Sequence, residues 1–286
     1  MLSFVQILIL ALIQGAAELL PVSSSAHVIV AEKLMGLNPA TPEMVMLLVM
    51  LHTGTMFAVI AYFWKDWRRN YFSAPGKLRW FAILIVIATF CTGIVGLGLK
   101  EVIEKVFMHG AAHAEVEQLF DNLPLIASAL GAVGVLILIA GMKEEKTPST
   151  QEIQPNHAVA IGVVQGLCLP FRGFSRSGST ISAGLLMGLP KRALEEFSFA
   201  LAVVLTPIII AMELKRLLKE QPPGTHISLI HLMEPGLVGM VFSFIAGLLA
   251  LKWLSQWLEA GRWKFFGIYC LVAAAVVLAI HYKLAG

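Results

Sequence analysis

Apolar residues run along this chain in long blocks, and the few polar interruptions are clustered. Blocks without Asp, Glu, Lys or Arg lie at 44–63, 80–99, 122–141 and 197–212, and two more at 235–251 and 265–282. About 20 apolar residues cross a bilayer core, so these six blocks are predicted to be transmembrane helices. The block 197–212 ends at Glu213 and is predicted to lean into its flanks.

Two hydrophobic regions do not read as simple spans. In 2–36, Gln14, Glu18, Pro21, Ser23, Ser24, Ser25 and His27 break the run. In 158–189, Pro170, Arg172, Gly173, Ser175, Arg176, Ser177, Ser179 and Thr180 do the same. Each region predicts two half-helices around a break, that is, a re-entrant pair. Broken backbone at membrane depth is tolerated only where protein buries it or a cavity borders it.

The two broken regions match one another. Gln14-Gly15, Leu20-Pro21 and Leu34-Met35-Gly36 correspond to Gln165-Gly166, Leu169-Pro170 and Leu186-Met187-Gly188. Three predicted spans separate them, which puts the second pair on the opposite side of the membrane. The expected fold is all-α and integral to the membrane, with six transmembrane helices plus two re-entrant broken-helix pairs in an inverted-topology repeat. Residues 1–286 form a single membrane domain, with repeats at 2–141 and 158–282. Such repeats place a shared site near the midplane, where the half-helices meet.

Composition agrees: 58% of residues are hydrophobic and 14% charged, against roughly 45–50% and about 25% in soluble domains. The net charge of +3 is not a nucleic-acid signal. Much of the excess falls in Lys65, Arg68, Arg69, Lys77 and Arg79, read as one short cytoplasmic loop. The acidic loop 100–121 then lies outside, with both termini, although Lys215, Arg216 and Lys219 argue the other way. Residues 1–13 carry no basic residue and read as the start of the fold, not a signal peptide. Cys91, Cys168 and Cys270 lie in apolar stretches and are expected as reduced, buried thiols.

Ionisable groups at membrane depth are costly, which makes the broken regions candidate chemistry. Gln14 and Glu18 are four residues apart and share a helix face. Glu18 can offer a carboxylate to a divalent cation, Mg²⁺ or Ca²⁺, with Gln14 adding a carbonyl oxygen. Ser23, Ser24 and Ser25 open the second half-helix, where one serine is expected as a cap. Free N–H groups at a helix start also receive anions. His27 could act as base, acid or nucleophile beside a serine. In the second region, Arg176 suits bidentate contact with phosphate. Ser175 and Ser177 flank it, and Thr180, four residues on, is expected to face the same oxyanion. Neither passage is a GxxxxGK[ST] loop, and no nucleotide-binding fold is expected.

The passages Glu18-Leu-Leu-Pro-Val-Ser-Ser-Ser-Ala-His27, led by Gln14, and Gly173-Phe-Ser-Arg-Ser-Gly-Ser-Thr180 resemble the two motifs of the undecaprenyl-diphosphate phosphatases of the bacitracin-resistance type. The resemblance extends to Glu196-Phe-Ser-Phe199, span order and length. It implies hydrolysis of undecaprenyl diphosphate to undecaprenyl phosphate and inorganic phosphate. That recycles the lipid carrier of peptidoglycan synthesis, in the bacterial inner (plasma) membrane, with the site facing the periplasm. It implies catalytic roles for Glu18, Ser24, His27 and Arg176. Phosphate contacts fall to Arg176 and Thr180, to which the reading of the residues themselves adds Ser23, Ser175 and Ser177, and a divalent cation falls to Gln14 and Glu18. Which of Ser24 and His27 is nucleophile stays open. The expected partners are the polyprenyl diphosphate lipid and the bilayer, with no nucleic acid; a homodimer is one compatible assembly. One departure is Arg172, where the family motif has proline. The alternative function is a polyprenyl-phosphate transporter or flippase using the same midplane site.

Overall fold

The computed structural model describes residues 2–38, 41–107, 122–143, 151–219 and 229–285. Ten α-helices and no strands occur among them: α1 Phe4–Leu19, α2 Ser24–Leu34, α3 Pro42–Asn70, α4 Pro75–Phe107, α5 Leu123–Lys143, α6 Pro155–Cys168, α7 Arg176–Leu186, α8 Lys191–Lys219, α9 Leu229–Glu259 and α10 Trp263–Ala285.

Local chemistry sets the ends. Ser3 and Gln6 form a capping box at the start of α1, and Thr41 caps α3 ahead of Pro42. Gly36, Gly188 and Gly261 follow the ends of α2, α7 and α9 at φ 64°, 75° and 69°, a conformation that glycine adopts without penalty.

Six helices, α3, α4, α5, α8, α9 and α10, are long and apolar enough to cross a membrane. The six predicted blocks fall one in each. α1 has 16 residues, about 24 Å of helix against a core of about 30 Å. α2, α6 and α7 are shorter still, at 11, 14 and 11 residues.

The charged flanks behave differently from expectation. Lys65, Arg68 and Arg69 belong to the last turns of α3, and Lys77 and Arg79 to the first turns of α4, so the segment 65–79 is not one loop. Polar helix needs no hydrocarbon once it leaves the core, and basic groups in the last turn of α3 suit its dipole. α8 likewise starts before 197 and continues past Glu213. Its first turns are held by α3: Arg192 bridges Asp66 and, at 3.1 Å, Glu195, while Asn70 donates to both oxygens of Glu196 at 3.1 Å. Burial and the Glu196 carboxylate push the nearby Tyr71 hydroxyl above its usual range. The expected acidic loop 100–121 begins later than predicted, because Glu101 and Glu104 lie on the last turns of α4. Segments 108–121, 144–150 and 220–228, which hold the rest of that loop and part of the inter-repeat connection, lie outside the described residues.

Packing runs through small residues, as is usual where lipid gives no hydrophobic drive between helices. α1 lies on α9 and α6 on α4; α5 pairs with α10, and α3 with both α8 and α9. A Cβ on Gly15 of α1 would sit 2.6 Å from the Ser243 carbonyl oxygen of α9. A Cβ on Gly162 of α6 would sit 2.3 Å from the Ala88 carbonyl oxygen of α4, and one on Gly166 2.9 Å from that of Thr92. The two half-helices α1 and α6 are thus seated backbone to backbone on long helices. Their C-terminal ends, and the starts of α2 and α7, meet in the interior.

Candidate active site

Each break ends in a serine cap. Ser23 accepts from the Ala26 N–H and contacts Ser25 Oγ at 3.3 Å; Ser175 accepts from the Gly178 N–H and contacts Ser177 Oγ at 3.5 Å. Ser23 has φ 67°, the one positive value outside glycine among the described residues. Such strain persists where surrounding structure over-determines it, often at functional sites. In the second break the turn before Ser175 passes under α5. Gly173 has φ 105°, and a Cβ there would lie 2.4 Å from the Ile126 carbonyl oxygen. Glycine is required there; Arg172, beside it, is half-buried.

The breaks touch directly. Ser177 Oγ donates to the Leu20 carbonyl at 3.3 Å. Arg176 Nη2 lies 2.9 Å from Glu18 Oε1. The other carboxylate oxygen, Oε2, accepts from Ser24 Oγ at 2.5 Å and from Gln14 Nε2 at 3.2 Å. One carboxylate from α1 therefore gathers a guanidinium from α7, a hydroxyl from α2 and an amide from its own helix. The Glu18 and Arg176 side chains are 17% and 20% exposed. The pair is largely withdrawn from solvent yet reachable by a ligand.

The other predicted residues lie elsewhere. Thr180 and Arg176 do not face a common point. Thr180 Oγ1 contacts Ser198 Oγ of α8 at 2.6 Å and donates back to the Arg176 carbonyl at 2.9 Å. Ser23, Ser175 and Ser177 are buried, with hydroxyls engaged as caps or on backbone. His27 turns from Ser24 and the Glu18–Arg176 pair. Its Nδ1 meets the Ser23 carbonyl at 2.7 Å and its Nε2 the Tyr269 hydroxyl of α10 at 2.7 Å.

Two residues join the site that sequence reasoning missed. His52 of α3 has Nδ1 3.0 Å from Gln14 Nε2 and 3.8 Å from Glu18 Oε2. Tyr269 of α10 stacks on His27, with ring centroids 5.7 Å apart and planes 12° from parallel. An imidazole inside an apolar block was the available signal for His52. The thiols are free; Cys168 and Cys270 are buried as expected, but Cys91 is half-exposed.

A divalent cation would find hard oxygen donors here in Glu18, the Gln14 carbonyl and Ser24. No group of three His, Cys, Asp or Glu gathers among the described residues. That donor set fits an ion shared with phosphate oxygens, the common arrangement for Mg²⁺, and not a cage built from protein alone.

Residues 7–276 match the family described as bacitracin resistance protein BacA. The chain belongs to that family. Undecaprenyl-diphosphatase 2 of Acinetobacter baylyi is 54% identical over 282 residues, 98% of each chain. The undecaprenyl-diphosphatase of Halothermothrix orenii is 30% identical over 279 residues, 96% of this chain and 97% of that one. The undecaprenyl-diphosphatase of Desulforudis audaxviator is 31% identical over 281 residues, 96% of each. In this BacA-family chain it is Gly173, next to the Arg172 departure, that makes the close approach to α5.

Proposed function

We propose that this chain hydrolyses undecaprenyl diphosphate to undecaprenyl phosphate and inorganic phosphate, recycling the carrier of peptidoglycan precursors. The observation that carries the reading is the meeting of Glu18, Ser24 and Arg176 at the junction of two broken helices. Relatives named undecaprenyl-diphosphatase, matched over nearly the whole chain, support the substrate.

The terminal phosphate seats on Arg176 and on the free N–H groups that open α2 and α7. Ser24 already shares its proton with Glu18, a nucleophile beside its base. Attack by Ser24 Oγ forms a new P–O bond and breaks the bond to the bridging oxygen. The serine proton passes to Glu18, and undecaprenyl phosphate leaves. Once His27 Nε2 leaves the Tyr269 hydroxyl and turns to the phosphoserine, water attacks and gives that nitrogen a proton. Ser24 Oγ departs and recovers its proton from Glu18, and His27 returns its own to solvent. Arg176 and the two helix starts neutralise the charge throughout, and positioning supplies the rest. A divalent cation would be held by Gln14 and Glu18 and, when bound, would draw charge from the phosphate oxygens.

The site is read as facing the periplasm across a bacterial plasma membrane, supported by the basic residues that end α3 and begin α4. Inverted repeats at 2–141 and 158–282 in one domain are supported by the matched breaks and by matched packing, α1 on α9 and α6 on α4. The same symmetry favours lipid transport as a second reading. Lipid movement in vesicles by a hydrolysis-dead Ser24→Ala/His27→Ala variant would support it, and none in the wild type would end it.

The test of the main reading is phosphate release from undecaprenyl diphosphate by the purified protein in detergent, with and without chelator, beside Glu18→Ala. Release that needs both Glu18 and the cation is expected. No release from folded protein would overturn the reading.

A further inference from the structure

His27 is held at both nitrogens. The Ser23 carbonyl only accepts, so Nδ1 carries the ring proton in the neutral imidazole. Nε2 is then the basic nitrogen, and it accepts from the Tyr269 hydroxyl. The contact to Ser23 is local, within the first turn of α2, whose backbone makes the same bond from the His27 N–H. The contact to Tyr269 is the one that crosses between elements and can be released.

The same two side chains border an apolar cavity of about 350 Å³ between α2 and α10, lined with Ile13, Val30, Leu130 and Val277 among others. Tyr269, Val272 and Val276 on α10 are 47%, 58% and 51% exposed, so this wall faces the bilayer. The cavity reaches the first break at His27, whose Nδ1 sits on the carbonyl of Ser23, the residue before Ser24. Its chemistry suits hydrocarbon attached to an anion held next door, which is a prenyl chain.

We propose that Tyr269 is a specificity-determining residue. It keeps His27 Nε2 occupied until the prenyl segment beside the diphosphate enters the α2–α10 cavity, parts the stacked rings and frees that nitrogen for proton transfer. This rests on the phosphatase reading and deepens it. Diphosphates without a long apolar chain bind the polar groups but leave the cavity empty, so His27 stays engaged and turnover is slow. Only the fraction of molecules with a released His27 is competent, and the chain raises that fraction through its contacts with the cavity.

Tyr269→Phe keeps the ring and removes the hydroxyl. The experiment measures kcat and KM for undecaprenyl diphosphate and for a five-carbon prenyl diphosphate, in wild type and variant. The expected result is a gain in kcat on the short substrate, so that discrimination by kcat/KM falls about tenfold, the worth of one hydrogen bond. A cavity-filling Ala273→Trp variant is expected to act oppositely, raising KM for the long lipid and leaving the short substrate alone. Equal loss on both substrates in Tyr269→Phe, or an unchanged ratio, would overturn the inference and leave the phosphatase reading standing. Absence of phosphate release from either substrate by the wild type would remove both.

Discussion

Glu18 and Arg176 lie 158 positions apart and meet at 2.9 Å. Each comes from a helix too short to cross the membrane, and each is the charge that makes the other tolerable at that depth. Removing one strands its partner, a loss of roughly 3–5 kcal/mol for a buried pair. Arg176→Gln and Glu18→Gln are each expected to lower the thermal midpoint in detergent. The double variant is expected to recover most of that loss while phosphate release stays down by at least ~100-fold. Thermal unfolding and turnover measured on all four proteins check the cycle. Independent, additive destabilisation would show that the pair is not coupled.

Gly162→Val is expected to disrupt the seat of α6. Its side chain would begin 2.3 Å from backbone of α4, where no rotamer can yield. The cost should exceed the ~1–3 kcal/mol of ordinary overpacking. Gly15→Val should behave alike on α9. Monodisperse yield by size-exclusion chromatography is the readout, and a wild-type profile for either would contradict the packing.

Gly173→Ala tests the second turn. The added methyl meets the Ile126 carbonyl at 2.4 Å, and the positive φ adds strain of about 1–3 kcal/mol. Because Arg176 follows three residues later, turnover should fall along with stability. Undiminished kcat in a destabilised protein would mean that the turn does not hold Arg176 in place.

Accessibility should separate the cysteines. Cys91 is half-exposed on α4, whereas Cys168 and Cys270 are 8% and 0% exposed. A membrane-permeant maleimide is expected to label Cys91 first, and mass spectrometry of the digested protein reads the order. Early labelling of Cys270 would conflict with its place against the Pro21 carbonyl.

Gln14, Glu18, Ser24 and Arg176 could be picked out from residue types alone, because polar groups in apolar sequence stand against a quiet background. His52 and Tyr269 escaped the same test. Each is uncharged in the ordinary count and sits in a block that reads as plain span. Thr180 was misaimed because spacing reports only which residues share a face of α7. Its contact with Ser198 depends on where α8 packs, which no local pattern contains. The charged run 65–79 read as loop because basic residues mark the end of the hydrocarbon, and helix α3 continues beyond that boundary.

The glycine seats of α1 and α6 bear on how such a protein can move. A half-helix in backbone contact with its neighbour has no slack to rock or slide, so the floor beneath the site behaves as a fixed anvil. Any excursion that opened the opposite leaflet would have to be made by the elements around it. Among the described helices, α8 and α9 carry an internal proline, at Pro207 and Pro235. Bending there would cost the fewest backbone hydrogen bonds, so if the fold flexes, those two positions are expected to be its joints and α1 and α6 its frame.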